Sequence, residues 1–148
     1  MNHYKKFFIF IILSLITSIF ALGNQAKVVQ LSVTENEKQI SLQFSVNKGY
    51  GIQKEGPHEI TIYKLDANHF KSTVVSEKIA KYGKKLTTIS PVKFSGVIAS
   101  EDEHYYSNVL PVNLTASKNS TLAIRARIFF CSFQDNFCSV ETVEQIIN

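Results

Sequence analysis

The chain is poor in cysteine. Only two occur in 148 residues, Cys131 and Cys138. Their separation is too wide for a Cys-x-x-Cys pair, and no βαβ pattern surrounds them, so a thioredoxin-type site is excluded. The histidines His58, His69 and His104 lack the close paired spacing of zinc ligands, so no metal site is expected. There is no Gly-x-Ser-x-Gly elbow for nucleophilic hydrolysis. Clustered charge of one sign is also scarce. Lys81, Lys84 and Lys85 form the single local basic cluster, read as a solvated loop, and no basic face of the kind a nucleic-acid binder presents is visible. No long stretch repeats apolar residues every 3.6 positions, and no internal repeat, low-complexity tract or linker divides the chain.

One long apolar run is present, at residues 7–22, directly after Lys5 and Lys6. A short basic region followed by such a run is the pattern of a secretory signal peptide. Small residues at Ala21 and Gly23 place the expected cleavage after Gly23, which leaves residues 24–148 as the mature domain, with Ala26 a second candidate site; an uncleaved membrane anchor is the alternative. No cysteine lies near that cleavage site, which excludes a lipoprotein anchor there. The expected location is periplasmic or secreted. Without Lys5 and Lys6 the net charge falls from +4 to +2, so the pI near 9.0 says little about partners. A chain of this size forms one domain that buries roughly two thirds of its unfolded surface.

The mature region reads as all-β. In residues 39–47, Ile40, Leu42, Phe44 and Val46 share one face, with Ser41, Gln43 and Ser45 on the other. That alternation is the period of a half-buried strand. Residues 121–131 repeat it: Leu122, Ile124, Ala126, Ile128 and Phe130 oppose Ala123, Arg125, Arg127, Phe129 and Cys131. An apolar face backed by one with two arginines suits an antiparallel sheet covered on one side. Further strands are expected at residues 28–33, 59–65, 72–75, 92–98, 109–114 and 142–147, with a helical turn or two at 76–82. Turn chemistry punctuates them at Asn47-Lys48-Gly49, Gly56-Pro57, Tyr82-Gly83 and Lys118-Asn119-Ser120. Several short strands so punctuated predict a β-sandwich.

In an exported chain, two cysteines this close are expected to pair. A disulfide there has two readings. As a staple it closes an eight-residue loop and stabilises the fold by about 2–3 kcal/mol. As a reagent it sits at a hairpin end formed by residues 131–138, where a partner's thiolate can reach a sulfur. Spacing alone leaves both open.

The residues also resemble a family, the N-terminal periplasmic domain of the bacterial thiol:disulfide interchange proteins of DsbD type. The likeness rests on the strand 40–46 followed by Asn47-Lys48-Gly49-Tyr50, on Asp102-Glu103-His104-Tyr105, on Leu110-Pro111-Val112, and on Phe137-Cys138 with Glu141-Thr142 beyond. These motifs keep the family's order over most of residues 27–147. The chain departs from the pattern in having six residues between the cysteines instead of five, Phe130 in place of a glycine, Ser139 and Val140 in place of prolines, and His104 in place of a phenylalanine.

The resemblance implies an immunoglobulin-like β-sandwich that passes electrons by disulfide exchange. It implies that Cys138 forms the mixed disulfide and Cys131 resolves it. Asp102, Glu103, His104, Tyr105 and Tyr50 would cap or shield the sulfurs, and the two acids would raise the thiol pKa. The implied partner is a thioredoxin-like protein or a membrane electron transporter, met by a monomer without a small-molecule cofactor. The alternative is a non-catalytic immunoglobulin-like binding module with a structural disulfide.

Overall fold

The computed structural model describes residues 27–36, 39–66, 73–115 and 120–147. The expected signal peptide at 1–23, His69, Ser72 and the turn residues Lys118 and Asn119 lie outside them. No helix among the described residues is long and apolar enough to cross a membrane.

Two open sheets pack face to face as an all-β sandwich. The smaller has the order β1–β2–β8, from Val29–Glu35, Gln39–Val46 and Val112–Thr115. In the larger, β9 (Leu122–Ser132) is central. One edge of β9 pairs along its whole length with β10 (Phe137–Ile147). The other edge is shared by β4 (Glu59–Leu65) near one end and β3 (Tyr50–Gln53) near the other. β5 (Gly83–Ile89) extends the sheet beyond β4, and β7 (Tyr105–Val109) and β6 (Gly96–Ile98) extend it beyond β3.

The alternation in β2 holds: Ile40, Leu42 and Phe44 are buried against Ile124, Ala126, Ile128 and Phe130 of the facing sheet. The single-sided cover expected for β9 holds only in its middle, where Arg125 and Arg127 reach the surface. At one end the helix α1 (Val75–Tyr82) sets Ile79 over Ala123 and Leu65. At the other end Cys131 is buried. A strand in this position is covered on both faces at its ends, so its alternation understates its burial.

Several expected elements are corrected. Of the strand expected at 72–75, the described residues 73–75 form none: 73 and 74 are irregular and Val75 opens α1. In 92–98 the strand is confined to Gly96–Ile98, because Val92 and Phe94 turn inward as core plugs and Phe94 meets Phe44 edge-on at 5.6 Å. The span 109–114 is two strands in different sheets: Leu110-Pro111 carries the chain across the sandwich, where proline's missing N–H rules out an unbroken ladder. The lysine cluster is not a loop. Lys81 lies in the last turn of α1, while Lys84 and Lys85 lie on the exposed edge strand β5, a common use of lysine to blunt an edge. Tyr82-Gly83 is likewise no turn, as α1 runs directly into β5. β3, β5 and all of β7 except Val109 were not visible in the sequence pattern.

Candidate functional site: a cross-strand disulfide beneath two aromatic rings

The site begins with a four-residue loop, 133–136, joining β9 to β10. Asn136 takes a left-handed conformation (φ 50°), which asparagine adopts more readily than most residues. Ser132 Oγ accepts from the Asp135 amide at 3.1 Å and donates to the Asp135 carboxylate at 3.0 Å, which fixes the turn. The register then sets Cys131 directly opposite Cys138, and the two are joined as a disulfide.

Backbone alternation explains how close they lie. The Phe133 N–H donates to the Gly49 carbonyl, and the Phe129 N–H points the same way, to His58. Odd-numbered residues at this end of β9 therefore aim their peptide groups away from β10. Cys131 and Cys138 are then a non-hydrogen-bonded pair, the kind whose Cα atoms approach most closely in an antiparallel ladder. Their Cα atoms are 4.0 Å apart, closer than the ~5.5–6 Å typical of disulfides in general.

The two sulfurs differ in environment. Cys138 is exposed, whereas Cys131 is 3% exposed. Both line an open cleft of about 340 Å³ with Glu101, Asp102, Tyr105, Ser132, Phe133 and Asn136. Gln53 Nε2 donates to Cys131 Sγ at 3.0 Å. The Tyr105 hydroxyl lies 3.9 Å from Cys138 Sγ. Its ring meets Phe133 edge-on at 5.6 Å. Both rings rest on Gly51, which pairs with Cys131 across the β3–β9 ladder. A Cβ at position 51 would come within 2.6 Å of Phe133 Cζ and 2.7 Å of Tyr105 Cβ, so only glycine lets the rings settle there.

The expected capping residues are thus brought together only in part. Asp102 and Tyr105 line the cleft. Glu103 and His104 line a neighbouring pocket with Gln53, Lys54, Glu55 and the other side of Tyr105. Tyr50 packs edge-on against Phe130 at 5.8 Å, toward the core and outside the cleft. Asp102 shapes its own loop, accepting from the His104 backbone N–H at 2.8 Å and contacting the His104 ring at 2.7 Å. These bonds, the backbone one foremost, hold its carboxyl below the ordinary aspartate value, so it stays ionised beside the disulfide.

Sequence reasoning missed Gln53, Phe133 and Gly51. Gln53 and Cys131 are 78 positions apart and meet only through the β3–β9 pairing, so no local pattern could have signalled their contact. His58, weighed as a metal ligand, is fully buried with both ring nitrogens engaged: Nε2 donates to the Gln53 carbonyl at 2.7 Å, and Nδ1 accepts from the Phe129 N–H at 3.1 Å. Burial lowers its pKa, the Gln53 carbonyl only partly offsetting this. Among the described residues no group of three or more potential ligands could hold a metal ion.

Compared with models of known protein families, the chain matches none. No curated protein aligns with it significantly.

Proposed function

We propose that this domain carries out thiol–disulfide exchange through a reversible Cys131–Cys138 disulfide, passing electrons from a thioredoxin-like donor, or a membrane electron transporter, to acceptors in an oxidising compartment. The observation that carries this reading is the asymmetry of the two sulfurs, one exposed and one buried under a side-chain donor. A partner thiolate attacks Cys138 Sγ. The Sγ–Sγ bond breaks, and Cys131 leaves as a thiolate toward the Gln53 amide. The partner's second thiolate then attacks the partner sulfur of the mixed disulfide and releases Cys138. The partner dithiol is oxidised, and the domain's disulfide is reduced by two electrons and takes up two protons. Toward an acceptor the steps reverse. The Cys138 thiolate attacks the acceptor disulfide and displaces one acceptor thiolate. Cys131 then attacks Cys138 Sγ, releases the second and re-forms the disulfide. These are the roles that the motif likeness to DsbD-type N-terminal domains implies.

The staple reading accounts for less. β9 and β10 already pair along eleven residues each, so the bond closes a hairpin that its ladder and turn hold in place. In the exchange reading Tyr105 and Phe133 screen the disulfide, and the ionised Asp102 disfavours a stray thiolate.

The test is a Cys131→Ser variant, which leaves Cys138 able to form a mixed disulfide and unable to resolve it. Incubated with thioredoxin-like proteins carrying a single active cysteine activated as a mixed disulfide, it is expected to yield a stable covalent adduct through Cys138. No adduct with any of them, while Cys138 reacts with a small thiol reagent, contradicts the proposal.

A further inference from the structure

The geometry points to the outer edge of β10, residues 137–140, as the docking strand for the exchange partner, which adds an extended, basic polypeptide segment beside Cys138. This rests on the exchange reading and names the partner surface it requires.

Three observations converge on that edge. The first is the direction of the backbone. Cys138 and Val140 stand opposite Cys131 and Phe129, whose peptide groups point away from β10. By the same alternation, the N–H and C=O of Cys138 and Val140 point outward from the sheet. No strand among the described residues pairs with β10 on that side. Phe137, Cys138, Ser139 and Val140 are all exposed, with Phe137 at 44% and Val140 at 40%. The free stretch ends at Glu141, whose carboxylate accepts the Val29 N–H at 2.7 Å and ties β1 to β10. An unpaired edge of this kind is a template for an added strand, with main-chain hydrogen bonds supplying affinity.

The second observation is the line of attack. Displacement at sulfur proceeds with the nucleophile opposite the leaving sulfur. Cys138 lies on the edge strand β10 and its bonded sulfur belongs to β9, so a thiolate that displaces Cys131 from Cys138 comes from the side of Cys138 away from Cys131. Approach to Cys131 from the opposite side is closed by Gly51, Gln53 and Tyr105. A strand laid along residues 137–140 brings its own sulfur to Cys138 from the open direction.

The third is charge. The cleft is lined by Glu101 and Asp102 and by no lysine or arginine. Asp135 stands on the adjoining turn, held by Ser132. An acidic rim on a chain that is basic overall selects a partner segment carrying lysine or arginine and repels an acidic one. The covalent step is the one already given: the partner thiolate bonds to Cys138, Cys131 departs as thiolate, and the partner's second thiol completes its own oxidation.

Two synthetic dithiol peptides of equal length test this on the oxidised full chain, one with lysines flanking its cysteines and one with glutamates. The lysine peptide is expected to reduce the disulfide at least about tenfold faster, with the gap closing at high salt. Val140→Pro removes an outward N–H and no internal ladder bond, and is expected to lower the ratio of the lysine-peptide rate to the dithiothreitol rate by roughly 3–10-fold. Equal rates for the two peptides and an unchanged ratio overturn the docking inference while leaving the exchange reading intact. A disulfide that neither the peptides nor dithiothreitol can open takes down both.

If Val140→Pro fails to fold, amide hydrogen exchange in the mixed disulfide of Cys131→Ser with a single-cysteine version of the lysine peptide replaces it. Slowing of the Cys138 and Val140 amides is expected, and unchanged exchange there overturns the inference. A dimer by sedimentation that protects the same amides without peptide would assign this edge to a second copy of the chain and overturn it as well.

Discussion

Gln53 is the residue that most sharply separates a reagent from a staple. Its side-chain amide donates to the buried Cys131 sulfur, the atom that must carry negative charge when a partner opens the bond. A hydrogen bond to a charged group contributes about 1.5–3 kcal/mol. Gln53→Ala is therefore expected to slow reductive opening by at least roughly tenfold and to raise the Cys131 thiol pKa in the reduced form. The pH profile of Cys131 alkylation checks this, because a purely structural role for Gln53 would leave that profile in place. Neither Gln53 nor Gly51 was legible in the sequence. A glutamine in a four-residue strand has no periodic signature, and the close approach at Gly51 depends on Tyr105 and Phe133 arriving from distant segments. The cysteine pair was legible, because its partners are joined by one short turn.

Among the elements, the turn between β3 and β4 connects the site to the core through His58. Its ring bonds the Gln53 carbonyl on one side and the Phe129 amide of β9 on the other. It also meets Phe94 at 4.8 Å. Burial disfavours the charged ring, so the folded-state pKa lies below the unfolded value of about 6.5; the Phe129 N–H bond to Nδ1 likewise needs the neutral ring. The stabilisation is fully present above that unfolded value and is lost as pH falls below it toward the folded pKa. Urea unfolding from pH 7.5 down to 5.0 should show stability falling by at most about 1.4 kcal/mol per pH unit from this group. His58→Leu should be less stable at pH 7.5 and lack this contribution to the slope. An identical slope in both proteins would remove His58 as its source.

The elements also show where pattern reading succeeds. The alternating β2 was readable because burial on one face imposes a period of two, and the strand at 59–65 through its β-branched residues, since Ile60, Thr61 and Ile62 are buried in succession on both faces. β5 was not, because Lys84, Lys85, Leu86, Thr87 and Thr88 are all exposed on an edge and carry no alternation.

At the scale of the molecule, the sandwich gathers the candidate site at one end. The turn at Asn47-Lys48-Gly49, the loop before Tyr105 and the β9–β10 turn gather around the disulfide, and α1 closes the far end of β9. Only the alignment of three distant segments at the tip of β9 makes the pair asymmetric, and linear spacing could not show that. The account rests on the claim that this bond is opened and closed in use. Its most direct test is the reduction potential of the Cys131–Cys138 disulfide in the purified domain, equilibrated with a thioredoxin-like dithiol couple. The account predicts a value above about −300 mV with full reversibility. A value below that, with no reaction toward the reduced thioredoxin-like protein, would contradict it and leave the disulfide as a staple in a binding module.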